Sequence, residues 1–436
     1  MTGQLRSWGL YPDLPQTGHY AAWRHDLRSL AQGLVASHGS ILAYGAGRSY
    51  GDSPLAESGH VLAMTGLDRV MDVDWERGTF KAEAGISLGE IQRIALSHGW
   101  FLPVTPGTQY ATLGGAIAND VHGKNHHVRG TFGRHVLGFG LYREGTELIC
   151  SPSEHTSLYS ATIGGLGLTG IITWAHVQLM QVATAQIDTR TVRFGGLAEF
   201  FDLSRELDHQ HEYSVAWVDC VAKGKNAGRG VFIVGDHASY GDRILPCRTK
   251  RSVALTPPVS LVNPFSLRAF NEVYWRKHPA KLTQARVGYE PFFYPLDALS
   301  HWNRIYGRKG FQQYQCVIPP SDGQQAIADI LKAIADTGQG SFLAVLKRCG
   351  ELPSPGLLSF PMAGVSLALD FPQSPSLTQL FVRLDDIVRE TGGRLYPAKD
   401  AHMLATDFQA AYPAWETLER LRDPGLSSVF WKRVTQ

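Results

Sequence analysis

With 436 residues, 44% of them hydrophobic and 18% charged, the chain is long enough for two domains with real cores and too apolar for a disordered polymer. A formal net charge of +2 offers no electrostatic footprint for nucleic acid. No run of about 18 apolar residues marks a membrane-spanning helix, and Arg6, Pro12 and Asp13 near the start break the basic-then-apolar order of a secretory leader. Cytoplasmic residence is therefore expected. The five cysteines, Cys150, Cys220, Cys247, Cys316 and Cys349, are odd in number and far apart, so they read as reduced, mostly buried thiols rather than zinc ligands or disulfides.

Ile41, Leu42 and Ala43 read as a short buried strand that runs into Gly45-Ala46-Gly47-Arg48-Ser49-Tyr50-Gly51-Asp52. Glycines in such a run let the backbone approach a diphosphate or a ring closely. No long amphipathic helix opens at Gly47, as a Rossmann fingerprint requires, so the ligand expected is FAD held on loops rather than NAD on a helix terminus. Residues 79–84 alternate as a strand. Ser87 and Glu90 have capping-box spacing for a helix with Leu88, Ile91, Ile94 and Ala95 on one face, stopped by Gly99. A second small-residue run from Thr112 through Gly114, Gly115, Ala118 and Asn119 to His122 and Gly123 completes a cradle across which a dinucleotide can lie. With the apolar stretch 170–180, these elements suggest an α+β cofactor domain over residues 1–182.

From about residue 190 the pattern becomes strand, helix, strand, strand, helix. Residues 312–318 form a strand. Ser321 and Gln324 suit a capping box for a helix carrying Ile327, Ile330, Leu331 and Ile334. Strands follow at 342–348 and 364–371, then a helix at 376–391 closed by Gly392 and Gly393. The order predicts an antiparallel sheet with helices on one side. Period two puts Gln313, Gln315 and Val317 on one face of the first strand, Val345 and Lys347 on one face of the second, and Ser366, Ala368 and Asp370 on one face of the third. That face is expected to turn from the helices and form the roof of the flavin and the substrate pocket.

Between Arg243 and Tyr289 stand nine Lys or Arg and one acid, Glu272. Phe265, Leu267, Phe270, Val273, Tyr274 and Trp275 lie among Arg268, Arg276 and Lys277 at helical spacing. Two readings stay open: a peripheral membrane helix within 246–292, or an amphipathic helix packed on the core. His122, Lys124, Asn125, His126 and His127 also admit a metal-site reading, that of a hydrolase. No cysteine or carboxylate set nearby completes such a site, and no metal is expected.

GAGRSYGD at 45–52, PGT at 106–108, TLGGAIANDVHGKNHH at 112–127, GGLGLTGII at 164–172 and the terminal LRDP and VF resemble the vanillyl-alcohol-oxidase, or PCMH, type of FAD-dependent oxidoreductase. HGKNHH, Gln313-Tyr314-Gln315, Ser359-Phe360-Pro361, Asp370-Phe371-Pro372, Gly393-Arg394-Leu395-Tyr396 and Ala398-Lys399-Asp400 are similar to the decaprenylphosphoryl-β-D-ribose 2-oxidase branch, in the same order from about residue 6 to the C-terminus. The resemblance implies a two-domain α+β PCMH-type FAD-binding fold, with an antiparallel-sheet cap over 183–393 and a return of residues 394–436 to the cofactor domain.

It also implies FAD contacts from Ala43, Gly45, Ala46, Gly47, Arg48, Ser49, Tyr50, Pro106, Gly107, Thr112, Gly114, Gly115, Ala118, Asn119, His122, Gly123, Gly167, Gly170, Ile171, Tyr396 and Lys399. Arg48 stands where many relatives carry a histidine bonded to the flavin, which implies non-covalent FAD. Lys399, His122 and Lys124 are the catalytic candidates, Lys399 foremost. Tyr50, Lys124, Trp217, Tyr294, Gln313, Gln315, Lys347 and Ser366 are the substrate candidates.

The activity implied is oxidation of the 2-hydroxyl of a polyprenylphosphoryl-ribofuranose to a ketone, a step of cell-wall polysaccharide synthesis. An NAD(P)H-dependent short-chain reductase would then complete a 2-epimerisation to an arabinofuranose donor. Another sugar, sugar acid or glycosyl phosphate as substrate, or a flavoprotein subunit without turnover, are the alternatives. Mycobacterial members carry asparagine and cysteine where this chain has Ser366 and Ala368, so that cysteine cannot be essential here.

Overall fold

Short alternating strands separated by glycine turns build the first part of the chain, and longer strands separated by helices build the second. The computed structural model describes residues 4–246, 250–278 and 280–436; Cys247 and Arg248 lie outside them. The four described cysteines are buried and free. Among the described residues no helix is long and apolar enough to cross a membrane.

A four-stranded sheet has the order Gln4–Leu5, Gln16–Tyr20, His60–Ala63, Leu42–Tyr44, its last three strands parallel. The helix Leu27–His38 lays Leu27, Ala31 and Leu34 on it, against Leu62 and Met64. The strand expected at 41–43 is displaced by one residue, because Ile41 makes a bridge to Leu426 instead.

A second sheet is antiparallel, in the order Val70–Asp74, Thr79–Glu83, Ile171–Gln178, Val136–Arg143, Thr146–Cys150. Beside it, the Ser87 hydroxyl caps the helix Leu88–Ser97 by accepting from the Glu90 amide. The Glu90 carboxylate does not return the bond. It binds the Arg93 guanidinium at 2.9 Å, so the capping box is half formed. Leu88, Ile91 and Ala95 are buried as expected, while Gln92 and Leu96 join them and Ile94 lies at the edge.

The large sheet has eight antiparallel strands, ordered Thr283–Gly288, Gln186–Phe194, Gly230–His237, Tyr213–Val218, Ala344–Cys349, Gly364–Pro372, Phe311–Ile318, Arg394–Leu395. Helices Leu197–Leu207, Gly323–Thr337 and Leu377–Glu390 cover one face of it. Ile327, Ile330, Leu331 and Ile334 are buried there, and full burial of each such side chain contributes about 1.5–3 kcal/mol. The expected box of Ser321 and Gln324 does not form. Asp322 takes the N-cap position, and the Ser321 hydroxyl donates to its carboxylate.

On the other face the register sets Gln313 opposite Asp370, Gln315 opposite Ala368 and Ser366 opposite both Val317 and Lys347. Alternation thus turns the polar residues away from the helices, as read from the sequence. After Arg394 the chain runs along the first sheet. The Tyr50 amide donates to the Ala398 carbonyl at 3.0 Å, and Ala56 bridges Ser428. A Cβ at Gly51 would stand 1.6 Å from the Asp400 carbonyl oxygen, so only glycine permits this approach.

Candidate active site

The two glycine runs and the polar face of the large sheet enclose a cavity of about 620 Å³. Its floor is Ala43, Gly45, Ala46, Gly47, Arg48, Ser49 and Tyr50 from one run and Thr112, Gly114, Gly115, Ala118, Asn119, His122 and Gly123 from the other, with Pro106, Gly107, Gly167 and Gly170. A Cβ at Gly45 would come within 2.5 Å of the Thr112 hydroxyl, which itself accepts from the Gly115 amide at 3.2 Å. The runs can meet only because the first has no side chain there. Gln313, Gln315, Lys347 and Ser366 form the roof with Ala368 and Asp370, and Lys124, Trp217, Tyr396 and Lys399 complete the walls.

Two expected residues lie elsewhere. Ile171 points into the core under the helix Leu27–His38, and its neighbour Ile172 faces the cavity, a displacement of one residue on an alternating strand. Tyr294 is buried off the cavity, where its hydroxyl donates to Gln92 Oε1 at 2.6 Å and bonds Thr105. Phe292 and Phe293 line the wall in its place. Tyr274, Asp297 and Asp370, absent from the expected contact set, also line it. Asp370 was legible from the same alternation that singled out its neighbours.

The electrostatics centre on the lysines that line the cavity. Burial pulls the Lys399 amine down to about 7, against the Asp370 charge, which raises it; its Nζ stands 3.7 Å from the Tyr50 ring centroid. Burial pushes Asp370 up to about 7, opposed by a hydrogen bond from Gln313 and by the Lys399 charge. Asp370 Oδ1 accepts from Gln313 Nε2 at 2.6 Å, and Oδ2 is buried without a partner. Burial also lowers Lys124 to about 7, helped by the Lys347 charge, and lowers Lys347 to about 8. Lys124 Nζ donates to the Phe293 carbonyl at 3.2 Å.

Lys347 Nζ donates to the Gly123 carbonyl at 2.7 Å and to His122 Nδ1. Burial, with the Lys347, His126 and Lys399 charges, keeps His122 neutral. A neutral imidazole has one acceptor nitrogen. With Nδ1 taken by Lys347, the proton sits on Nε2; the atom 3.1 Å from it is Gln315 Nε2, and turning that side-chain amide over presents its oxygen as the acceptor. The ring holds Lys347 and Gln315 in place and keeps no free lone pair for substrate. His126 Nδ1 accepts from the Gly350 amide at 3.1 Å, and His127 bonds the His211 carbonyl, so both tie loops together.

Three lysines around one cavity, Lys347 buried and Lys124 and Lys399 half-buried, are costly to charge together unless an anion joins them. A flavin diphosphate supplies such charge. Arg48 lies over Trp8 and Tyr110, 4.1 and 4.8 Å from their centroids, with a buried Nε that lacks a partner. The small-residue floor, the unpaired Arg48 Nε and the cations fit FAD.

Residues 24–151 match the family described as an FAD binding domain. On this match and the trough it forms, the chain is an FAD-dependent oxidoreductase of the PCMH type with an α+β fold. It is 34% identical over 415 residues to decaprenylphosphoryl-beta-D-ribose oxidase of Mycolicibacterium smegmatis, covering 91% of this chain and 89% of that protein. It is 33% identical over 365 residues to an uncharacterized protein in the mprA 5'region of Streptomyces coelicolor, covering 79% and 97%. A similarity to L-gulonolactone oxidase of Mus musculus, 30% over 141 residues, spans 32% of this chain and 31% of that one. The chain belongs to the family of the Mycolicibacterium smegmatis oxidase.

Proposed function

We propose that the protein oxidises the 2-hydroxyl of a polyprenylphosphoryl-β-D-ribofuranose to the 2-keto sugar, and that an NAD(P)H-dependent reductase completes the 2-epimerisation. The observation that carries this is that Lys399 and Asp370, each of which feels the other's charge, line one cavity with Lys124, Lys347 and the glycine floor. FAD, when bound by the glycine floor, supplies the two-electron acceptor. Lys399 in its neutral form takes the hydroxyl proton, and a base with a pKa near the working pH suits that task. Asp370 sets the charge of Lys399, and Gln313 orients Asp370. Lys124 and Lys347 bind the phosphate, and His122 positions Lys347. Ser366, 2% exposed and opposite Lys347 in the sheet, contacts the sugar.

Anaerobic mixing with a short-chain polyprenylphosphoryl-ribose should bleach the flavin band near roughly 450 nm. Bleaching by a free sugar or sugar acid, with none by the lipid phosphate, would move the assignment to the alternative substrates. A flavin that no polyol reduces would favour a subunit without turnover. With Arg48 at the position of the bonding histidine, acid precipitation should leave all the flavin in the supernatant.

The entrance supports a contact with the membrane surface. On the helix Pro264–Lys277, Leu267 and Asn271 are buried and Tyr274 lines the cavity. Its outer face carries Phe265, Ala269 and Val273, spaced by fours, with Phe265 85% and Val273 67% exposed. Arg268, Arg276 and Lys277 flank this stripe and are exposed. An apolar stripe between cations fits an anionic lipid surface and would bring a lipid-borne sugar to the cavity. The protein should sediment with vesicles containing phosphatidylglycerol, and Phe265→Ser with Val273→Ser should abolish this. Equal recovery of both proteins with vesicles would reject the contact.

A further inference from the structure

Outside the flavin cavity, three histidines from separate elements converge on the first sheet. His19 lies on the strand Gln16–Tyr20, His60 opens the strand His60–Ala63, and His38 ends the helix Leu27–His38. Thr17 pairs with His60 and His19 with Leu62, so His19, His60 and Leu62 share one face, the face on which this helix packs through Leu62. His19 Nε2 stands 3.0 Å from His60 Nδ1. The His38 and His60 rings stack at 3.5 Å. One ligand nitrogen from each lies within 4.8 Å of the others.

We infer that His19, His38 and His60 form a binding site for a borderline divalent transition ion, of which zinc is the type. Zinc at about 2.0–2.1 Å from each nitrogen, in a tetrahedron, sets those nitrogens roughly 3.3 Å apart. The His19–His60 pair already has this spacing, and rotation of the exposed His38 ring closes the rest. His38 sits at a helix C-terminus, where the backbone dipole favours a cation.

The strands Leu42–Tyr44 and His60–Ala63 are parallel, so the start of the second lies at the sheet edge opposite the glycine run that follows Tyr44. The ion therefore staples the helix end to two strands and takes no part in flavin chemistry.

The test is equilibrium dialysis of the full, tag-free flavoprotein against zinc, with metal analysis, and the visible spectrum of the cobalt-loaded form. Wild type should bind one equivalent saturably. His38→Ala, at an exposed position that leaves the core intact, and His60→Gln should each weaken binding at least about a hundredfold, the upper end of the loss from removing a mere second-shell partner. Absence of saturable binding in wild type overturns the site. So does binding unchanged in both variants, which would place the ion elsewhere.

Discussion

Lys399→Met should lower the rate of flavin reduction by about 10²–10⁴-fold, the range for loss of a positioned proton acceptor, while leaving the protein yellow. Methionine retains the length that packs on the Tyr50 ring, so the change removes the amine and little else. The pH profile separates a proton-accepting role from a packing one. Lys399 acts as a base, so kcat/KM in the wild type should rise with pH and level off above about 7, the value to which burial lowers the amine. The Asp370 charge raises that pKa. Asp370→Asn removes the charge, so the amine should lose its proton at lower pH and the ascending limb should move to the acid side. Full turnover by Lys399→Met would sink the assignment. An unmoved limb in Asp370→Asn would break the link between the two residues.

The alternation of Gln313 and Gln315, Val345 and Lys347, Ser366, Ala368 and Asp370 made the roof of the cavity legible, because a strand has a period of two and its faces follow from side-chain type alone. Ile171, named by the resemblance, is out by one residue: Ile171 and Ile172 are both apolar and buried, so side-chain type does not say which of them faces the core. Tyr294 was likewise named by the resemblance: Phe292, Phe293 and Tyr294 form a continuous aromatic run, and which of them faces the cavity depends on a short helix, Tyr289–Phe293, that ends there. The Ser321 box failed because Asp322 competes for the same cap. Contacts such as Asp297 beside Gln109 (2.8 Å) join segments far apart in sequence, and no local pattern announces them. The triad of His19, His38 and His60 belongs to this last class.

Arg433→Ala should have the largest effect on stability, by way of a contact between the C-terminal helix Val429–Thr435 and the loop that carries Tyr50. The Arg433 guanidinium meets Asp52 at 2.9 Å and Asp400 at 2.8 Å, and the two carboxylates are 3% and 2% exposed. Losing the partner of a buried charge costs about 3–5 kcal/mol. The Arg433 side chain is 26% exposed, so water can enter the space it leaves, and a loss near the lower end, about 3 kcal/mol, is expected. Arg433→Lys should recover only part of this, because one ammonium cannot reproduce a fork that binds two carboxylates. The defect should reach the cavity. Asp52 and Asp400 flank the point where Gly51 meets the Asp400 carbonyl, and Lys399 is the preceding residue. A lower urea midpoint together with a reduced flavin-to-protein ratio is the expected pair of observations for Arg433→Ala. An unchanged midpoint would mean that water, together with the His402 and Met403 amides already bonded to Asp400, satisfies both carboxylates. A lower midpoint with full flavin content would confine the network to fold stability and detach it from the placement of Lys399.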